Sequence, residues 1–392
     1  MAHRKKTCPS IQRFDFTYPP RMPHHAWRAK LPQAPGAILA SSLTPDMKNF
    51  LIACLLAGLG LASASAATSS PRPQPAKEAA QAGVRMIPIH TPKGDFKVWT
   101  RRVGDNPTIK VLLLHGGPGA THEYFETFDQ YFPGASIEYY YYDQLGSAFS
   151  DQPDDTSLYT VQRFTDEVEQ VRKALGLDKD NFYLLGHSWG GILAIEYALA
   201  HPGKLKGLVI SNMMASAPAY NAYADKVLAP QLDPAVLAEV RRLEAEGKTD
   251  DPRYMELLVP HFYEQHILRK PFASWPEPLL RAFEHINPKV YKPLQGPSEL
   301  GIQGLLADWD RFDDLNRIDV PTLVIGARHD TMDPAHLRKM VQRLKQGQFL
   351  YCENGSHMTM YDDAACYFDG LLKFLRAAPA RKAVKPQSLR SY

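Results

Sequence analysis

Short runs of fully apolar residues recur along most of the chain, separated by amphipathic stretches and turn-forming residues. Val111–Leu114, Phe182–Leu185, Gly207–Ser211, Thr322–Gly326 and Gln348–Tyr351 are runs of the length and composition that fill strands buried on both faces. Glu138–Tyr142 reads as one more strand, and Met86–His90 with Phe96–Thr100 as an opening hairpin about Thr91–Asp95. Between them Val161, Phe164, Val168, Val171 and Leu175 recur at steps of three and four, the mark of one helical face. A helix-like segment follows Gly191, and an amphipathic helix closes the pattern from about Asp362 to Arg376. From about Asn212 to Asp310 the rhythm changes to helical segments with no convincing strand. Strand–helix alternation broken once by a helical insertion predicts an α/β fold, a mostly parallel sheet flanked by helices with an inserted helical cap. The predicted core is 84–211 with 311–378, the cap 212–310, and 379–392 a C-terminal tail.

The first part of the chain does not follow this rhythm. Residues 1–46 are rich in Pro, Arg and His without periodicity, and read as an upstream extension that does not fold. Met47-Lys-Asn, the apolar run Phe50–Leu61 and the small residues Ala62–Ala67 then have the form of a secretory signal peptide, 47–66, cut after Ala64 or Ala66. The run is shorter than the ~20 apolar residues of a membrane span, so no stable membrane insertion is expected. A flexible tail, 67–83, leads into the core. The expected location is periplasmic or secreted, with a disordered cytoplasmic extension as the alternative.

Charge changes with this division. Residues 1–66 hold eight Lys/Arg against two Asp/Glu, so the whole-chain +3 leaves −3 for the remainder. That argues against a nucleic-acid partner. Of four cysteines only Cys352 and Cys366 fall outside the leader. No metal-binding spacing is present, and neither metal nor cofactor is expected. An oxidising compartment would permit the two thiols to pair; spacing alone favours two free thiols. Nothing in the sequence specifies an oligomeric state.

The chemistry centres on Gly186-His-Ser188-Trp-Gly190, which stands between a strand-like run and a helix-like segment. That setting holds a serine hydroxyl out at the carboxyl edge of a sheet on a sharp turn. Serine needs a base to take its proton and an acid to orient the base, and in this fold class they follow in the order acid, histidine. Asp330 after Thr322–Gly326 and His357 after Gln348–Tyr351 stand where that order requires. Asp333, followed by Pro334, reads instead as a helix cap. His187 is expected to be turned away from the site, and His329 to pack or face solvent. Fixed N–H donors for a tetrahedral intermediate are expected from Trp189 and, in the glycine loop His115–Gly119, from Gly117.

His115-Gly-Gly-Pro-Gly119, Asp143-Gln-Leu-Gly146 and Gly186-His-Ser-Trp-Gly-Gly191 together resemble the prolyl iminopeptidases of the α/β-hydrolase superfamily. Gly296–Leu300, Ala307–Asp310 and Gly355–Met358 extend the likeness, which runs roughly from Val84 to Leu375. The resemblance implies a serine aminopeptidase that releases an N-terminal residue, often proline, from a short peptide or amino-acid amide. The catalytic roles fall on Ser188, Asp330 and His357, and the seat for the free amine on Glu299. Two positions depart from the family pattern: Thr331, where some members have a second acid, and Ala148, where a glycine is usual. The first bears on selectivity and leaves the hydrolytic groups untouched. An L-amino-acid amidase or a general esterase would use the same groups. A non-catalytic ligand-binding member of the fold would be expected to lack one of them.

Overall fold

The computed structural model describes residues 82–377; the predicted extension, the signal peptide, almost all of the N-terminal tail and the C-terminal tail lie outside them. Eight strands form one sheet: β1 (Val84–Thr91), β2 (Gly94–Val103), β3 (Lys110–Leu114), β4 (Glu138–Tyr142), β5 (Phe182–His187), β6 (Gly207–Ser211), β7 (Thr322–Ala327) and β8 (Gly347–Cys352). Their order is β1-β2-β4-β3-β5-β6-β7-β8. β1 and β2 form the antiparallel hairpin, β2 joins β4 antiparallel, and every pairing from β4 to β8 is parallel. This is the mostly parallel sheet that the strand–helix rhythm predicts, in the α/β-hydrolase arrangement that the resemblance implies.

The central strands β3, β5 and β6 carry Val, Leu and Ile side chains buried on both faces, as parallel strands between helical layers must. β4 meets the same condition with tyrosines, whose rings are buried while their hydroxyls find carboxylates. Tyr139 and Tyr141 share Asp129, Tyr140 reaches Glu138 and Tyr142 reaches Glu167.

Helices α1 (Val161–Ala174) and α2 (Trp189–Ala200) follow β4 and β5, the first capped by the Thr160 hydroxyl on the Arg163 amide. Between β6 and β7 the described chain is helical: α3 (Ala217–Tyr223), α4 (Pro234–Ala245), α5 (Pro252–Leu258), α6 (Glu277–Glu284) and α7 (Pro288–Leu294), with short turns between. After β7 come α8 (Pro334–Arg343) and, beyond β8, α9 (Ala364–Arg376). No described helix is long and apolar enough to cross a membrane.

The expectation of two free thiols is corrected. Cys352, the last residue of β8, is disulfide-bonded to Cys366 in the first turn of α9, with Cα atoms 5.8 Å apart. Fourteen residues of separation say nothing about that approach; it arises because the chain turns back on itself after β8.

Candidate active site

β5 runs into Ser188 with its backbone at φ +55°, and α2 begins at the next residue. This turn is possible only because its flanks lack side chains. A Cβ on Gly186 would lie 1.9 Å from the Gly190 carbonyl oxygen, and one on Gly190 2.1 Å from that of Leu114. The turn is tied to the sheet by the Ser188 amide, which donates to the Ser211 carbonyl at 3.0 Å.

Asp330 and His357 leave the carboxyl ends of β7 and β8, and both are buried. His357 Nδ1 lies 2.8 Å from Asp330 Oδ1. Because the carboxylate accepts, Nδ1 carries the proton and Nε2 is left to take another. The second Asp330 oxygen accepts from Asn212 Nδ2 at 2.7 Å. Asn212 sits just past β6 at φ +53°, a conformation Asn tolerates better than most residues. Burial disfavours a charge on His357, but Asp330, and more weakly Glu299, outweigh it and raise its pKa. Ser188 and His357 open on the same cavity with no hydrogen bond between their side chains, a separation common before substrate is bound.

The glycine loop lies against the nucleophile: a Cβ on Gly116 would come within 2.9 Å of the Ser188 Cβ. The Gly116 amide is spent on Tyr124 Oη at 2.7 Å. The Gly117 amide has no acceptor among the described residues, and that of Trp189 opens α2, where no preceding turn supplies one. These are two free donors beside Ser188. Gln144 braces both sides: its Nε2 donates to the His115 carbonyl at 3.0 Å, and its Oε1 accepts from the Trp189 indole at 2.9 Å. Beneath the loop Asp143 pairs with His122 at 2.8 Å, which outweighs burial to lower the pKa of the acid and raise that of the histidine. Ala148, the departure in this motif, still takes φ +31°, a region that favours glycine.

A cavity of about 190 Å³ opens from Ser188 and His357 into the cap. Its lining is mostly apolar and includes Ala120, Tyr263, Phe272 and Phe283, and Glu299 lines it half-buried. Glu299 Oε1 accepts from Tyr291 Oη at 2.5 Å, while its main chain is held by Tyr220 and Tyr263. No Lys or Arg pairs with this carboxylate among the described residues, and burial raises its pKa against the opposing influence of His357 and Tyr291. Thr331 is buried beside the acid–histidine pair, its hydroxyl 3.3 Å from Asp330 and 3.4 Å from His357 Nδ1.

The structure thus gathers Ser188, Asp330, His357, Gly117, Trp189 and Glu299 about one cavity. Asp333 caps α8 through the Ala335 amide, as its Asp-Pro setting implies. His187 departs from expectation: it lines the cavity and bonds to Tyr124 and to the His357 carbonyl, because the elbow turns its ring toward the loop after β8. Tyr124, Asn212 and Tyr291 carry no signal of their own in the sequence. Only Asn212, at the carboxyl end of a strand, stands in a place that could have drawn notice.

Residues 110–364 match the family model for the alpha/beta hydrolase fold. The chain is 56% identical over 290 residues to a proline iminopeptidase of Flavobacterium johnsoniae, covering 74% of this chain and 97% of the relative. It is 55% identical over 293 residues to that of Elizabethkingia meningoseptica, with the same coverage. The crystal structure of a proline iminopeptidase from Mycobacterium smegmatis superposes with a TM-score of 0.66 at 29% identity, over 74% of this chain and 97% of the other.

Proposed function

The chain belongs to the proline iminopeptidases of the α/β-hydrolase fold family, and from that premise we propose that it releases N-terminal proline from short peptides through an acyl-enzyme on Ser188. His357 takes the Ser188 proton as Oγ attacks the carbonyl, and Asp330 holds the resulting imidazolium. The oxyanion forms between the Gly117 and Trp189 amides. His357 then returns the proton to the leaving amine, and water attacks the prolyl ester by the same route.

One observation carries the exopeptidase reading. Glu299 is a half-buried carboxylate in the cavity that holds Ser188 and His357, with a tyrosine and, among the described residues, no basic side chain bonded to it. A carboxylate partly withdrawn from water without a cation is disfavoured in its charged form, and a substrate's free ammonium supplies the missing charge. An ammonium seated in the same cavity as Ser188 would favour cleavage next to the substrate's N-terminus.

The test is a panel of short prolyl peptides, aminoacyl arylamides and amino-acid amides, each paired with its N-acetylated form. Free prolyl substrates should turn over and blocked ones should not, and Ser188→Ala should abolish turnover of every member of the panel. Equal turnover of blocked and free substrates would remove Glu299 from its role and favour an esterase-like enzyme. Turnover of amides without any of peptides would favour an amidase.

Export is part of the same proposal. Its supports are the signal-peptide pattern at 47–66 and the disulfide between Cys352 and Cys366, a bond that persists in oxidising compartments.

A further inference from the structure

Three groups that must act together in this site are joined, each at its own or the adjacent residue, by one buried chain of hydrogen bonds. It starts at the Gly116 amide, one residue before the free donor of Gly117. Tyr124 Oη lies 2.7 Å from that amide and 3.1 Å from His187 Nδ1. His187 stands one residue before the nucleophile, and its Nε2 lies 3.0 Å from the carbonyl oxygen of His357. Tyr124 is 2% exposed and His187 fully buried.

The direction of every bond follows from its far end. A carbonyl oxygen only accepts, so His187 Nε2 bears the proton. Burial holds the pKa of His187 down to about 3, so its ring is neutral and Nδ1 is a bare acceptor. The Tyr124 hydroxyl must therefore donate to Nδ1, which leaves its oxygen to accept from the Gly116 amide. The chain runs one way, from the glycine loop through Tyr124 and His187 to the backbone of the catalytic histidine. Each member has its valences filled, and no tautomer other than this one fills them all.

We propose that Tyr124 and His187 are positioning residues for the reaction, holding the oxyanion donor of Gly117 and the imidazole of His357 in one frame about Ser188. The Tyr361 hydroxyl, donating to the Tyr124 carbonyl at 2.8 Å, ties the segment after β8 to the same tyrosine. With its amide committed to Tyr124, Gly116 cannot swing to offer its own N–H, and the next peptide plane, which presents Gly117, is held at the Gly116 carbonyl by His115 Nδ1 at 2.9 Å. At the other end, the bond to the His357 carbonyl holds the main chain that Asp330 orients only through the side chain. The inference rests on the serine-hydrolase reading above.

Tyr124→Phe removes a single oxygen and keeps the ring, so it isolates the chain from packing. Donors that work only in the transition state act on kcat, so kcat should fall ~10-fold or more with KM within about twofold. A boronic-acid analogue of proline, which forms a tetrahedral adduct on Ser188, should lose affinity by the same factor, whereas free proline should bind unchanged. His187→Gln, which can still donate to the His357 carbonyl, should retain more of kcat than His187→Leu. If Tyr124→Phe does not fold, this pair with the same two ligands decides the matter. A kcat within twofold of wild type, or equal losses for the boronate and proline, would overturn the proposal. Ser188→Ala separates the two levels: an inactive Ser188→Ala beside a fully active Tyr124→Phe removes only this inference, whereas an active Ser188→Ala removes the hydrolase reading and this inference with it.

Discussion

Glu299 acts at the residue scale in two ways that one substitution can separate. Its charge is the seat proposed for the substrate ammonium, and it also helps raise the pKa of His357. Glu299→Gln removes both effects while nearly keeping shape. For free-amine substrates KM should rise tenfold or more, since a hydrogen bond to a charged group contributes ~1.5–3 kcal/mol. The acid limb of kcat/KM reports the free enzyme, in which His357 must be neutral to act. With Glu299 ionised, the protonated imidazole is favoured and the limb lies above the ordinary histidine value. Without it the limb should move to lower pH. Initial rates across pH for both enzymes check this; an unmoved limb with unchanged KM would show that Glu299 faces neither group in solution. Ser188, Asp330 and His357 were legible in the sequence because each follows an apolar run and their order is fixed by the fold. Tyr124 and Asn212 were not. Each is an ordinary polar residue recruited across 63 or more positions by the way strands are ordered, which no local pattern records.

At the scale of elements, α6 shows how the cap is held over the site. Its inner side contributes Leu280, Ala282 and Phe283 to the cavity wall. The same helix carries Arg281, which reaches Glu123 and Glu126 on the core at 2.9 Å each and Glu277 on its own helix at 2.8 Å. His285 completes the contact at 2.9 Å from the buried Glu123. Arg281→Ala should therefore loosen the wall without touching the reacting groups. KM should rise several-fold while kcat stays near wild type, and stability should fall by about 1–2 kcal/mol, the lower part of the charged hydrogen-bond range because Arg281 is partly exposed. Steady-state kinetics and a denaturant titration measure the two effects; a fall in kcat at constant KM would place α6 in the chemistry instead. The strands were readable from their apolar runs, and one helix start from the Asp333-Pro334 pair, which caps α8; Asp233, Asp251 and Asn287, each before a proline, cap helices in the same way. How those helices seat on the core was not readable, because it depends on pairs such as Arg281–Glu123 that lie 158 residues apart.

For the whole molecule the disulfide joins stability, site and location. The loop between Cys352 and Cys366 contains His357, so the bond closes the segment that presents the catalytic base. A closed loop of this size contributes ~3 kcal/mol by restricting the unfolded chain. Cys366→Ser, or reduction of the native enzyme, should lower the unfolding free energy by about that amount. Activity well below the unfolding midpoint should largely persist, because Asp330 and the His187 bond still hold His357. Coincident denaturation curves for oxidised and reduced protein would deny the bond any such part. The same bond bears on export. Cys8 and Cys54 both lie ahead of the proposed cleavage sites at Ala64 and Ala66. An exported, processed chain therefore keeps only the two cysteines that pair, and should show no free thiol. Intact mass and thiol titration of enzyme isolated from its native compartment decide this together: a mature start just past Ala64 or Ala66 with no titratable thiol is the expected result. A chain beginning at Met1 or Met47 with free thiols would place the enzyme in a reducing compartment, and the disulfide's stabilising part would then be lost where the protein works.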